Sequence, residues 1–339
     1  MQTRDSRLLT PDSPYDAILL VSFGGPEGRD EVLPFLENVL RGRNVPRERM
    51  LAVAEHYHLF GGVSPINEAN RKLIAALKSE LDANGPALPV YWGNRNWHPL
   101  LTDTLREMAK HGVKRALAFV TAGYSSYSSC RQYLENIASA REAAGADAPR
   151  VDKLRVFYNH PRFIQANVAN VKEALRRIPQ NRRASARLVF TAHSIPLSMA
   201  QNCYYEAQLK ETSHLVAKAV EHSNWQLAFQ SRSGPPNQPW LGPDILELLR
   251  TMHAAGTRDV VLAPIGFVSE HMEVVYDLDV QAKELCEELG LNQVRAQTAD
   301  AHHAFVQMIR ELILERLNGG GIDDTPGQDC AVSCCLPGT

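Results

Sequence analysis

The chain is expected to fold as an α/β protein of two like halves, each a parallel sheet flanked by helices, with a cleft between them. Short apolar runs, AILLV (Ala17 to Val21), ALAFV (Ala116 to Val120), LVFTA ahead of His193 and VVLA (Val260 to Ala263), have the length and composition of strands buried on both faces. Segments of helical period separate them, as in Asn67 to Asn84, where Leu73, Ile74, Leu77 and Leu81 fall on one side before Gly85-Pro86. A weak internal repeat supplies the third observation. VYW, a loop through Gly93 to Pro99, a helix to Lys110, Gly112, a strand and Gly123 are echoed by LAFQ, a loop through Ser231 to Pro243, a helix to His253, Gly256, a strand and Gly266. Such self-similarity over a strand, helix and strand unit points to two halves of like topology.

In chain order, the strand Ala17 to Val21 runs into Ser22-Phe23-Gly24-Gly25-Pro26 and a helix from about Glu31 to Leu40. The glycine pair matches neither a dinucleotide fingerprint nor a phosphate loop and reads as a turn that closes tightly. Arg41, Arg43, Arg47 and Arg49 form a local basic segment, by default solvated and at most an anion-binding lip, before a helix over Met50 to His58. A strand over Pro89 to Trp92 follows. Residues 1–150 are taken as the first half, 151–300 as the second, 301–317 as a C-terminal helix packing on the first, and 318–339 as a cysteine-containing tail.

With 339 residues and 44% hydrophobic content, two cores can be filled. The 36 basic and 38 acidic residues nearly cancel, leaving no global field for nucleic acid or an anionic membrane. No apolar run approaches the ~20 residues that span a bilayer, and the polar N-terminus lacks a secretory core, so a cytoplasmic location is expected.

Two stretches carry chemistry. LVFTAHSIP ends a buried strand on His193, which is how an α/β protein delivers a reactive side chain to the carboxyl edge of its sheet; a structural histidine is the plainer alternative. EHMEVVYDLD crowds carboxylates at a helix start, where capping accounts for one or two of them. Glu273, Asp277 and residue 280 lie close to four-residue spacing, the first two acidic, which suits passing a hard divalent cation along a track. Imidazole and carboxylate together suit an ion such as Fe²⁺.

FTAHSIP, PWLGPD and GFVSEHMEVVYDLD, in that order, with SFGGP, LRGR, FGGVSPI, GNRNWHP and AGYSSYSSC, closely resemble the signatures of ferrochelatases from about Tyr15 to Glu315. The resemblance implies a chelatase-like fold of two Rossmann-like halves and insertion of Fe²⁺ into a porphyrin held in the cleft, as a lyase of haem biosynthesis. It implies His193 and Glu273 as catalytic and metal-binding residues, with Asp277 the next metal-binding carboxylate. It implies porphyrin contacts at Phe23, Arg41, Tyr57, Ser64, Tyr133 and Trp240. Phe23 stands where relatives carry a tyrosine, and His56 where some carry an arginine. The short, charged lip over 44–60 resembles the soluble bacterial type and favours coproporphyrin III over protoporphyrin IX. The alternatives are a chelatase for another metal or tetrapyrrole, or a non-catalytic tetrapyrrole carrier. A monomer is the simplest expectation.

Three of the six cysteines crowd the tail, which suggests a thiolate metal site. The resemblance implies a [2Fe-2S] cluster on Cys130, Cys330, Cys334 and Cys335, with Cys203 a possible substitute and Cys286 a packing residue.

Overall fold

A computed structural model of the chain describes residues 13–42, 45–235, 237–319 and 334–337. The strands are β1 (Ala17–Ser22), β2 (Val90–Asn94), β3 (Arg115–Val120), β4 (Arg150–Lys153), β5 (Arg187–His193), β6 (Trp225–Gln230), β7 (Asp259–Ala263) and β8 (Asn292–Arg295). They form two four-stranded sheets of order β2-β1-β3-β4 and β6-β5-β7-β8. Every pairing is parallel. The two orders are the same topology, and the repeat seen in the sequence pairs β2 with β6 and β3 with β7. β4 and β8, short and less apolar, gave no strand signal and are recovered as the outer partners of β3 and β7.

Two compact units result. One holds residues up to Thr121, Gln132–Arg155 and the chain from Val306; the other holds Ala122–Arg131, Val156–Phe305 and residues 334–337. In each sheet the first strand is central. Leu188, Val189, Phe190 and Ala192 of β5 are fully buried, as are Ala17 to Val21 of β1. At about 1.5–3 kcal/mol for each large side chain so removed from water, these strands are the main hydrophobic anchors of their units. Helices Val32–Val39, Arg47–Leu59, Ile66–Asn84, Leu101–Lys110 and Gln132–Ala144 accompany the first sheet, and Pro161–Arg176, Tyr205–Ala219, Ile245–Ala254 and Ala282–Leu289 the second. Local chemistry sets where they begin. Asp244 Oδ1 accepts from the amides of Leu246 (2.8 Å) and Glu247 (3.4 Å), capping Ile245–Ala254.

The Gly24-Gly25 turn serves packing. A Cβ on Gly25 would lie 2.6 Å from Ser64 Cβ, so the loop after β1 closes directly onto the loop ahead of Ile66–Asn84.

At the edge of the first sheet, Asp152 of β4 accepts from Tyr15 Oη (2.9 Å) and Arg115 Nε (2.7 Å). Partial burial opposes its charge, but the bonds from Arg115 and Tyr15 outweigh it and hold the carboxyl below its ordinary pKa. A group depressed in this way stabilises the fold above its unfolded pKa of about 3.9 and loses that contribution as pH falls through the folded value. Asp152→Asn is therefore expected to lower stability by about 1.5–3 kcal/mol at neutral pH. In urea titrations the gap from the unaltered protein should narrow below about pH 4.

Candidate active site

His193 is the last residue of β5, in register with Gln230 of β6. Its backbone carbonyl accepts from Tyr205 Oη at 3.0 Å. Its Nδ1 is held by the carbonyl of Ser194, which favours a proton on Nδ1 and turns Nε2 to the other side of the ring. Ser194 is fixed in turn, its amide on Gln230 O (2.8 Å) and its hydroxyl on Leu241 O (2.7 Å). The HSIP and PWLG motifs thus lie side by side, and Pro196 and Trp240 share an antiparallel bridge.

Glu273 arrives from β7. Gly266 donates its amide to Thr191 O at 3.0 Å, carrying the chain across the end of β5, and the helix Met272–Tyr276 starts six residues later. His271 caps it, its Nδ1 accepting from Glu273 N at 3.2 Å while its ring meets Phe267 edge-on at 4.8 Å. Buried Met272 and Val274 anchor the helix and leave Glu273 on the open side. The outcome is His193 Nε2 at 3.3 Å from Glu273 Oε1, with 31% and 48% of the two side chains still accessible. Both can be reached from solvent.

Asp277 follows one turn on. It accepts from the Ser231 hydroxyl on Oδ2, and Gln230 Nε2 reaches the same oxygen at 3.4 Å while also donating to Glu273 O. The even four-residue track read from sequence is modified here. From Asp277 to Gln281 the chain is a π-helix, whose wider turn moves the position below Asp277 away from Val280 and towards Gln281. Two further acids of this stretch are braces. Arg295 forks Asp279 (2.6 and 2.8 Å) and binds Glu270 (3.0 Å), and Glu270 also accepts from Thr298 Oγ1 (3.1 Å).

These contacts spread the proton affinities. Burial acts against a charge on His193, but adjacent Glu273 outweighs it and raises the imidazole pKa to about 9. Burial likewise opposes the Glu273 charge and His193 reverses that, holding the carboxyl at about 2. Asp277, raised by burial against the Ser231 bond and raised further by Glu273, stands at about 7. His271 is pushed down, chiefly by burial. The resting pair is an ion pair with a carboxyl near neutrality beside it. Ser231, Gln230, Tyr205 and His271 were not legible as site residues in the sequence; His271 lies inside a motif, but its capping role needs coordinates.

In the first unit, Phe23 and Tyr57 pack edge-on against Phe35 at 6.3 and 5.8 Å, beside Trp97 at 6.0 Å from the same ring. The Arg95 guanidinium lies over both Phe23 (5.6 Å) and Tyr133 (4.8 Å). Ser64 and Tyr133 are buried, Arg41 is exposed, and Trp240 in the second unit is half-buried with Nε1 on Gln238 Oε1 at 3.3 Å. Cys130 and Cys335 are buried, and Cys334 Sγ lies 3.6 Å from Cys335 Sγ. Burial raises the Cys335 thiol, and Cys334, Cys130 and Cys203 add to the effect, so these sulfurs share one neighbourhood. Arg131 Nη1 donates to Cys334 O at 3.1 Å. Cys330 lies outside the described residues, and among the described residues no three His, Cys, Asp or Glu side chains are arranged to hold a metal ion. Cys286 is buried in the core of the second unit.

Two parallel sheets with a histidine at a strand end facing a carboxylate helix define a protein of the chelatase fold. The crystal structure of the sirohydrochlorin chelatase SirB from Bacillus subtilis, in complex with cobalt, matches at a TM-score of 0.52 with 14% identity, covering 91% of this chain and 99% of that one. A multi-domain protein from Deinococcus radiodurans with structural similarity to chelatases matches at 0.54, also with 14% identity, covering 91% of this chain and 56% of its own. At that identity the likeness concerns the fold. The particular family is given by sequence: the ferrochelatase family model matches residues 15–317, and the chain belongs to the ferrochelatase family. A ferrochelatase of Rhodopirellula baltica is 55% identical over 332 residues, covering 95% of this chain and 94% of the relative. A coproporphyrin III ferrochelatase of Streptomyces coelicolor is 49% identical over 345 residues, covering 96% and 90%.

The His193–Glu273 pair has a testable sign. A raised histidine pKa contributes stability that is complete below the unfolded value of about 6.5 and is lost as pH rises through the folded value. In Glu273→Gln the carboxylate no longer offsets burial, so NMR titration of the His193 ring should give a pKa well below the value of about 9 held in the unaltered chain. The stability difference between the two proteins should be greatest near pH 6 and fade as pH rises through about 9.

Proposed function

We propose that this protein inserts Fe²⁺ into a porphyrin, with coproporphyrin III as the preferred macrocycle, and that His193 and Glu273 carry the reaction. The observation that carries the assignment is the solvent-accessible His193–Glu273 contact at 3.3 Å at the carboxyl end of β5. Metallation must strip water from the cation and take two protons from pyrrole nitrogens, so the site needs ligands for a borderline ion and acceptors for protons. His193 and Glu273 offer one nitrogen and one oxygen. Because Glu273 holds a proton on His193, the entering cation must displace it, and metal capture is coupled to proton release. Asp277, near pKa 7, is matched to receive a proton at neutral pH and is the next carboxylate on the cation's path.

Phe23, Tyr57, Tyr133 and Trp240 suit the faces of a flat apolar ring, and Ser64 and Arg41 its propionates. The charged helix Arg47–Leu59 and the names of the relatives favour the four carboxylates of coproporphyrin III over the two of protoporphyrin IX. Among the described residues no helix is long and apolar enough to cross a membrane, and we assign the protein to the cytoplasm.

The test is direct. Anaerobic protein mixed with Fe²⁺ should quench coproporphyrin III fluorescence faster than protoporphyrin IX fluorescence. His193→Ala should slow metallation by about 10²-fold or more while leaving porphyrin binding intact. A carrier would keep its function in that variant, so metallation at the original rate would sink the assignment.

The cysteines support a second element, a [2Fe-2S] cluster held by Cys130, Cys330, Cys334 and Cys335. Cys130 and Cys335, both buried, and Cys334, 3.6 Å from the latter, are the described thiols that would hold it, and Cys203 is the alternative fourth thiol. The chemistry the cluster supplies when bound is a clamp between the tail and the body; metal insertion transfers no electron. Protein prepared anaerobically with iron and sulfide should show visible cluster absorption, and Cys130→Ser should abolish it with the fold intact by circular dichroism.

A further inference from the structure

We propose that Tyr124 and Tyr205 are paired positioning residues: their hydroxyls fix the two peptide groups that lead to His193 and Glu273, and so set the approach of those side chains. Tyr205 is the first residue of the helix Tyr205–Ala219 and donates from Oη to His193 O at 3.0 Å. The amide of the same peptide group, on Ser194, donates to Gln230 O at 2.8 Å. The peptide group leaving His193 is therefore gripped at both ends.

The arrangement recurs on the segment that delivers Glu273. Tyr124 Oη donates to Ile265 O at 2.9 Å, and the amide of that peptide group, on Gly266, donates to Thr191 O at 3.0 Å. This is the group at which the chain crosses the end of β5. A peptide group is a rigid plane, so one bond at its carbonyl and another at its amide fix its orientation as well as its place. Each crossing strand end thus owes one of its two bonds to a tyrosine.

The two tyrosines are themselves locked together. Their rings meet edge-on with centroids 6.1 Å apart, and both are buried, at 1% and 5% exposure. One turn along the helix, buried Gln208 bolts the two segments to each other. Its Oε1 accepts from Ser125 N at 2.7 Å and its Nε2 donates to Ser125 Oγ at 3.0 Å. Phenylalanine would fill the same space without a hydroxyl to satisfy, so what each phenol adds is its bond to one backbone carbonyl. The two bonds converge on a single geometry, the 3.3 Å between His193 Nε2 and Glu273 Oε1. Supporting contacts of this kind typically set metal affinity or activity by 10- to 100-fold.

The inference rests on the assignment of His193 and Glu273 to the reaction, and the experiment separates the two. Tyr124→Phe and Tyr205→Phe each lose one oxygen and keep the ring. They are compared with Glu273→Gln, with Tyr124→Phe combined with Glu273→Gln, and with Tyr15→Phe, which removes a hydroxyl bonded to Asp152 in the first unit. Anaerobic measurements give Fe²⁺ binding by equilibrium dialysis without porphyrin, coproporphyrin III binding by fluorescence without metal, kcat, and the unfolding midpoint. Tyr124→Phe and Tyr205→Phe should each bind Fe²⁺ about tenfold more weakly and lose about tenfold or more in kcat, with porphyrin affinity within about twofold. Tyr15→Phe should lower the midpoint as well, yet leave Fe²⁺ binding and kcat within about twofold. In the Glu273→Gln background, Tyr124→Phe should cost little more, because the carboxylate it helps to place is already gone. Fe²⁺ affinity and kcat unchanged in both tyrosine variants would overturn the positioning role. An equal loss in Tyr15→Phe would overturn it too, by tracing the effect to stability alone. If Glu273→Gln itself leaves Fe²⁺ affinity and kcat unchanged, the assignment of the pair fails and the inference falls with it.

Discussion

The site depends on one close approach. Gly266 crosses the end of β5 so tightly that a Cβ there would lie 2.4 Å from Ala192 Cβ, a distance real Cβ atoms do not adopt. The hydrogen bond from Gly266 N to Thr191 O at 3.0 Å fixes this crossing two residues ahead of His193. Everything after it is placed by that constraint: the loop through Phe267, the His271 cap, and Glu273 on the first turn of the helix that follows. A side chain at residue 266 would push the segment off the strand end. Because 3.3 Å already separates His193 from Glu273, a displacement of an ångström would undo the pair. In a parallel sheet with a central first strand, the ends of β5 and β7 adjoin the point where the chain reverses its order of strand addition, which is where α/β proteins place ligands.

The placement decides the electrostatics. Three titratable groups, one at the end of β5 and two on the helix after β7, acquire proton affinities ranging from about 2 for Glu273 through about 7 for Asp277 to about 9 for His193. The order follows from partners. Glu273 has a cation beside it, while Asp277 has burial and a neighbouring anion against it, only partly offset by neutral donors on one oxygen. Environments that push like groups apart in this way divide acid, base and ligand roles between them. The other carboxylates of the motif are excluded from that division because Arg295 already holds Glu270 and Asp279.

Much of this was legible in the sequence, and what was not has identifiable causes. Strands buried on both faces announce themselves by unbroken apolar runs, so β1, β3, β5 and β7 were found, and the paired repeat located β2 and β6. The edge strands RVDK and NQVR have only partial burial and no run to read; they exist because a neighbour offers an open ladder. His193 and Glu273 were reachable from sequence because motif order put each at an element boundary. Ser231 was not: its contact with Asp277 joins positions 46 residues apart, which spacing does not encode. Arg95 and Trp97 sat in a recognised motif, but their stacking on Phe23, Phe35 and Tyr133 is tertiary. Beyond Asp277 a π turn interrupts the helical period, which sequence spacing does not encode.

That π turn has a counterpart. After β3 and Gly123 the chain forms a π-helix over Tyr127–Arg131 that leads into Gln132–Ala144, as Asp277–Gln281 leads into Ala282–Leu289 after β7 and Gly266. π-helices are rare, and two at equivalent places in a duplicated topology mark a feature of the repeat rather than a local accident. The glycines ahead of them repeat as well, Gly123 lying against the Phe157 ring where Gly266 lies against Ala192. The two turns carry different side chains. The second bears Asp277 at its first position; the first bears Cys130, buried in the neighbourhood of Cys334 and Cys335. A wide turn re-aims the side chains on it relative to the helix that follows, so one geometry can present a carboxylate in one copy and a thiol in the other. The duplicated halves thus share a scaffold down to its irregularities, and their chemistry diverges in the side chains those irregularities present.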